Sequence, residues 1–378
     1  MSDLLKGLTR EDRLVWVGAG GRVSADELAG EIRRGPVDWQ RVVLTAKQNR
    51  VLIPLSERLL DIPEVPAKIR AALVVHERAV HDSVRAVQTA FERALPVILR
   101  RNKILLMRGM ALAYTLDRER PSRLVGVDVD LLIDRPSYPS ISGRFLDHHH
   151  IPADVMAQSP PTLEYHYDLN FKSSWCVRLG KIAMGELWAR RRTLRINDLE
   201  VGLLAPEDEI IYLSFHNAAK GFVGLYRFLD IARILGAHEI DWDEVIERSI
   251  RYKVAPSVWA SLSVAESLTP GSVPREVLSR LAPGGLTRAL VVRLLDPTVI
   301  LHDPRHSDDP RRSRWSRALR KGLLFRVLLA RPGTLLKIAI GPLNLLLFTL
   351  YSRADRAGLF GGLIGRTRST LQRDEEAR

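Results

Sequence analysis

Apolar residues recur at helical spacing from Val37 to Asn102, and Pro36, Pro54, Pro63, Pro66 and Pro96 divide that stretch into several helices. Within it, Ala67–Ala94 reads as one long amphipathic helix. Upstream, Ser24 to Arg33 predicts a shorter helix, with Ser24 as its cap and Glu27 as the capping-box partner three residues on. Gly18-Ala19-Gly20-Gly21 reads as a turn. Past residue 102 the pattern changes. Ile104–Met107 is a short apolar run closed at Gly109, and Val127–Ile133 alternates, turns apolar and stops at Asp134, Arg135 and Pro136. Thr162–Leu169 alternates too, with Leu163, Tyr165 and Tyr167 on one face and Glu164, His166 and Asp168 on the other. These three segments predict strands, with Met110–Leu116 a helix between the first two. The helical period returns at Pro206 and predicts helices over 206–219, 223–236, 242–266 and 274–295. Pro206 suits a first helical turn, and Glu207, Asp208 and Glu209 complement the helix dipole there.

The expected class is α+β: a small mixed sheet flanked by an N-terminal helical region and a C-terminal helical bundle. Four units follow, at 1–102, 103–204, 205–296 and 297–378. A length of 378 residues favours several packed units over one core. With 46% hydrophobic and 27% charged residues, wholesale disorder and fibrous repeats are excluded. Cys176 is the single cysteine, which excludes an intramolecular disulfide framework and fits a reducing compartment. The opening MSDLLKGLTREDR has no apolar signal-peptide core, so a cytoplasmic location is expected.

Net charge is +13 and unevenly placed. Ten Lys and Arg against two acids between Arg305 and Lys337 give that window +8, so a uniformly basic, nucleic-acid-binding surface is not indicated. The apolar stretch Thr334–Tyr351 that follows is interrupted by Lys337, Pro342 and Asn344, too short and too broken for a spanning helix. Residues 305–351 therefore read as an element for an anionic membrane surface, peripheral on its inner face, or as helices packed on the body with a solvated basic face. Aromatic residues are sparse in this region, which disfavours nucleic acid.

Chemistry concentrates elsewhere. Asp128 and Asp130, spaced i and i+2 on a strand and flanked by Val127, Val129 and Leu131, point from one face at the edge of a buried sheet. Two like charges there call for a cation, and oxygen-only ligands suit Mg²⁺ or Mn²⁺ working with substrate phosphates. Glu164, on the polar face of the next strand, is either the third carboxylate of that site or an exposed edge-strand acid. Gly109, at a strand-to-helix turn, would let the backbone approach a phosphate. His148-His149-His150 reads as a loop, because consecutive residues on regular structure cannot all face one ion.

In order along the chain stand Arg108-Gly109-Met110-Ala111, Arg123, Asp128-Val129-Asp130-Leu131-Leu132-Ile133, Glu164-Tyr165-His166, Ser214-Phe215-His216-Asn217-Ala218-Ala219-Lys220 and Leu229-Asp230-Ile231-Ala232-Arg233. This set resembles the bacterial nucleotidyltransferase family often found in polysaccharide or natural-product biosynthesis clusters, over approximately residues 36–290. The resemblance implies a nucleotidyltransferase-like fold that transfers a nucleoside monophosphate from an NTP to an acceptor the sequence does not identify. It implies catalytic and metal-binding roles for Asp128, Asp130 and Glu164, and nucleotide contacts from Arg108, Gly109, Arg123, His166, His216 and Lys220. Glu164 would also help deprotonate the acceptor hydroxyl. His216 and Lys220, four apart, share one helix face, which borders the cleft in that reading and is structural otherwise. Asp230 and Arg233 fit an i, i+3 structural pair.

The chain departs from the family pattern in Arg108 for a Lys, in Met110 where a Gly or Ser is usual, and in Arg123 lying one residue further from Asp128. Those departures define the rival, a catalytically degenerate scaffold at the membrane. A glycosyltransferase is the third reading, but it needs a nucleotide-binding sheet where residues 37–102 read as helices.

Overall fold

The computed structural model describes residues 5, 7–20, 23–100, 103–116, 128–133, 162–166, 184–295 and 297–302. Arg123, His148-His149-His150, Cys176 and the basic segment from Arg305 onward lie outside the described residues.

The N-terminal region is helical, and its caps are written locally. Helix α1 (Arg10–Ala19) begins at Thr9, whose hydroxyl accepts from the Asp12 N–H. Helix α2 (Ala25–Arg33) carries the expected capping box, with the Glu27 N–H donating to Ser24 Oγ at 3.1 Å and the Ser24 N–H to Glu27 Oε2 at 2.9 Å. Asp38 caps α3 (Trp39–Gln48) with one bond, its Oδ1 accepting from the Arg41 N–H at 3.0 Å. Gly18 and Ala19, expected in a turn, form the last turn of α1 instead, and Gly20 is its C-cap. A Cβ on Gly20 would strike the Leu268 backbone carbonyl, so the small residues serve close packing rather than chain reversal.

After α4 (Leu52–Leu59) comes α5 (Ala67–Leu99), 33 residues long and so about 50 Å at 1.5 Å per residue. Leu73, Val80, Val84, Phe91, Leu95 and Ile98 bury one stripe of it. Pro96 is accommodated in its last turn.

Among the described residues the sheet has five strands in the order β3-β2-β1-β5-β4. Strand β1 (Ile104–Met107) is central, antiparallel to β2 (Asp128–Ile133) and parallel to β5 (Leu199–Leu203). Strand β3 (Thr162–His166) adds to β2 in parallel, and β4 (Arg192–Ile196) closes the other edge as a hairpin with β5. The hairpin was not anticipated from the sequence. Between β1 and β2 lies α6 (Arg108–Thr115), and α7 (Met184–Arg190) precedes β4.

Side-chain alternation divides the core. Ile104, Leu106, Val129 and Leu131 pack with Val84, Phe91, Leu95 and Ile98 of α5 on one face of the sheet. Leu105, Met107 and Leu132 join the N-terminal helices and the C-terminal bundle on the other. Asp130 falls between Val129 and Leu131 and therefore belongs to this second face.

The C-terminal bundle comprises α8 (Pro206–Ala219), α9 (Tyr226–Ala237), α10 (Trp242–Arg251), α11 (Ala255–Leu268), α12 (Arg275–Leu281), α13 (Gly285–Leu294) and α14 (Pro297–Leu301). Helix α11 is its axis, with no fully exposed residue along it. The helix expected over 242–266 is two: Lys253 is left-handed at φ 64°, and Pro256 starts α11 because it cannot continue α10. The one expected over 274–295 is likewise split, at Pro283-Gly284. Buried Asn49 ties the two ends together. Its Oδ1 accepts from the Leu225 N–H at 3.0 Å, and its Nδ2 donates to Leu301 O at 2.8 Å and Thr45 O at 2.9 Å.

Candidate active site

The site grows from the junction of β1 with α6. Met107, the last residue of β1, stands opposite Asp130 on β2 in the antiparallel register. Arg108 follows at φ +59°, a left-handed conformation that costs a non-glycine residue roughly 1–2 kcal/mol. Glycine was expected to make this turn, but Gly109 is already the second residue of α6. The bend is Arg108's own.

That conformation brings Arg108 to Asp130. The guanidinium Nη1 is ion-paired with Asp130 Oδ1, and the Asp130 residue is only 4% exposed. The other terminal nitrogen, Nη2, lies 3.3 Å from His216 Nε2 on α8. A guanidinium only donates, so Nε2 must be the bare nitrogen and the proton sits on Nδ1. Tyr212, one turn earlier, supports the imidazole at a ring separation of 6.3 Å. Arg108 thus links three elements distant in sequence, joining the buried carboxylate of β2 to the imidazole of α8.

The parallel register of β2 and β3 sets Asp130 beside Glu164, Asp128 beside Thr162 and Leu132 beside His166. Neighbouring strands run roughly 4.8 Å apart. Asp128, Glu164 and His166 are described here by backbone position alone. Lys220 caps the C-terminal end of α8, one turn past His216, and its backbone N–H donates to His216 O at 3.0 Å. Of the expected site, then, Arg108, Asp130 and His216 meet through their side chains. Glu164 joins them in register, and Arg123 lies outside the described residues.

Among the described residues no three His, Cys, Asp or Glu side chains form a metal cage. Of the expected acid triad, only Asp130's side chain is among them. The donor set Asp128, Asp130 and Glu164 fits a hard divalent ion in its all-oxygen chemistry and in a register that adjoins two of its members. A groove of about 280 Å³ lined by Arg85, Gln88, Glu92, Tyr114 and Arg195 lies on the α5 side of the sheet and takes no part in this site.

Glu207, Asp208 and Glu209 stand in the first turn of α8 as expected, and two of them do more than complement the dipole. Asp208 is buried and accepts from Arg190 Nε and Nη2, both at 2.9 Å, with Arg248 at 3.3 Å. Glu209, buried beside it, shares the inward face of α8 with Tyr212 and His216. Burial pushes its carboxyl up to about 7. The charge of Asp230 adds to the rise, and Arg192, 4.0 Å away, opposes it. The i, i+3, i+7 spacing of Glu209, Tyr212 and His216 was the signal available in the sequence.

No helix among the described residues is long and apolar enough to cross a membrane. No curated protein and no solved structure matches the chain. A family model described as "Uncharacterised nucleotidyltransferase" matches residues 35–270, a span that runs from before α3 to the end of α11 and holds Arg108, Asp130, Glu164 and His216. The match covers well over half of the chain, so the protein belongs to this nucleotidyltransferase family, and general nucleotidyl transfer is the activity its membership supports.

Proposed function

We propose that the protein transfers a nucleoside monophosphate from an NTP to a hydroxyl- or phosphate-bearing acceptor in envelope polysaccharide biosynthesis. Asp128, Asp130 and Glu164 hold divalent ions, Mg²⁺ or Mn²⁺. Bound there, the ions would activate the acceptor oxygen and stabilise charge at the α-phosphate. One observation carries the reading: in a member of this family, a buried carboxylate on β2 is paired with an Arg from the β1–α6 junction, which a His of α8 holds from behind.

The chain's own residues divide the remaining work. Arg108 presents a planar fork that matches phosphate oxygens, at the start of α6, where backbone N–H groups face outward. Arg123, His166, His216 and Lys220 complete the nucleotide contacts, and Gly109 keeps the first turn of α6 narrow. His216, bare at Nε2, holds the Arg108 fork in place. Much of the rate would come from positioning and fixed charge. Residues 305–351 would hold the enzyme to the anionic inner face of the cell membrane, near its acceptor.

The test is incubation of the purified protein with each α-labelled NTP and Mg²⁺ against an acceptor panel, following labelled product and pyrophosphate. Wild type should turn over only with metal, and Asp130→Asn and Asp128→Asn should lose at least about a hundredfold. No nucleotide binding at millimolar NTP would refute the enzymatic reading and favour the scaffold. Flotation on anionic liposomes with and without residues 305–378 tests the membrane address.

A further inference from the structure

Asp130 has its cation already. The Arg108 guanidinium is paired with one oxygen of the carboxylate that would help hold a divalent ion, and its second nitrogen is held at His216. We propose that Arg108 is a built-in counter-ion for Asp130 which the triphosphate draws away, so that nucleotide and divalent metal bind with strong mutual dependence. This rests on the reading that the site takes an NTP and a metal through Asp130.

Three features carry it. First, a guanidinium and a divalent ion repel each other, so full metal ligation by Asp130 requires the pair to loosen. Second, a carboxylate buried to 4% exposure is costly to leave without a cation, so Arg108 cannot leave for nothing. An incoming triphosphate compensates it, because a guanidinium fork binds phosphate oxygens at least as well as a single carboxylate oxygen. Third, Arg108 is placed between the two partners. Its side chain keeps 20% of its surface exposed while Asp130 keeps 6%, so the arginine reaches outward and the acid does not. The left-handed backbone at φ +59° aims the side chain across to β2.

A Lys in this position would offer its donors from a single nitrogen, so it could not turn to a phosphate without shifting the whole charge. The arginine's fork can instead keep one nitrogen on His216 while the other changes partner. Binding free energies are reciprocal, so whatever factor nucleotide adds to metal affinity, metal adds to nucleotide affinity. Arg108 is thereby a positioning residue as well as a nucleotide contact: it couples the two ligands.

The experiment is Mn²⁺ titration of the full chain, read by the electron paramagnetic resonance of free Mn²⁺, with no nucleotide present. Arg108→Gln should bind Mn²⁺ about tenfold tighter than wild type, since the competing cation is gone, whereas Arg108→Lys should stay near wild type. In parallel, Mn²⁺ should raise the melting temperature of Arg108→Gln more than that of wild type, because the metal then supplies the charge Asp130 lacks. Asp130→Asn should abolish the binding in either background. Equal Mn²⁺ affinity in wild type and Arg108→Gln, lost on Asp130→Asn, would overturn the counter-ion role while leaving the metal site standing. No Mn²⁺ binding in any of them, with or without a non-hydrolysable NTP analogue, would overturn the metal-nucleotide reading and this inference with it.

Discussion

Glu209→Gln should stabilise the protein, and only above mildly acidic pH. Glu209 is 4% exposed, its Oε1 has no hydrogen-bond partner among the described residues, and its Oε2 lies 4.0 Å from Arg192. Arg192 is itself engaged elsewhere, donating to Leu204 O at 3.1 Å and standing 3.3 Å from His238. Buried Asp230 faces Glu209 from α9 and disfavours a second negative charge. Together these lift the carboxyl from an ordinary 4.5 to about 7, burial first. The unfolded chain gives up that proton near 4.5, while the native state keeps it to about 7. Between the two the native state binds more protons, so this group's contribution to stability falls as pH rises through that window and is flat above it. At about 1.4 kcal/mol per pH unit, the loss is about 3 kcal/mol. Glutamine keeps the shape and never ionises. The variant should match wild type near pH 4 and exceed it by about 3 kcal/mol at pH 8. Urea denaturation at pH 4, 5, 6, 7 and 8 measures the difference, and other titrating groups cancel between the two proteins. A difference that stays constant across pH would refute the argument, as would a variant less stable than wild type at pH 8.

Three further outcomes follow from packing. Gly20→Ala drives a Cβ into the Leu268 backbone carbonyl where α1 meets α11, and should cost about 1–3 kcal/mol in urea unfolding. Asp208→Asn strips the charge shared by Arg190 and Arg248 and leaves two guanidinium groups short of a partner in the bundle. It should cost about 3–5 kcal/mol, read by the same denaturation, and Asp208→Glu should not restore it because the bidentate geometry is lost. Asn49→Ala removes one acceptor and two donors that join α3 to the start of α9 and the end of α14. About 2–4 kcal/mol should be lost, and proteolysis should reach the segment after Leu301 sooner.

Strands β1 and β2 were legible because buried strands are apolar runs with abrupt ends, and α5 because its buried stripe keeps one helical phase for 33 residues. The β4–β5 hairpin carries a local signal as well. Leu194 and Ile196 alternate with Thr193 and Arg195, Leu199, Val201 and Leu203 with Glu200 and Gly202, and Asn197-Asp198 between them is a two-residue turn. The break between α10 and α11 was also written, as Pro256, but amphipathic spacing runs through it and outweighed one residue in a periodic reading.

The candidate site divides along the same line. That Asp130 is a buried acid follows from its apolar neighbours in sequence. That Arg108 answers it does not, because the pairing needs a left-handed arginine beside a glycine that sequence logic prefers for the turn. The contrast is sharpest at Asp208 and Glu209. Adjacent acids in a first helical turn look equivalent in sequence. One faces α7 and α10 and finds two guanidinium groups; the other faces Asp230 and one occupied arginine, and burial leaves its proton in place. Side-chain direction on a helix turns about 100° per residue, so neighbours meet different partners, and those partners come from elements no local window contains. The same rotation puts Glu209 on the inward face that carries His216 to Arg108. A helix whose acids were read only as dipole complement therefore supplies both the anchor of the bundle and one wall of the site.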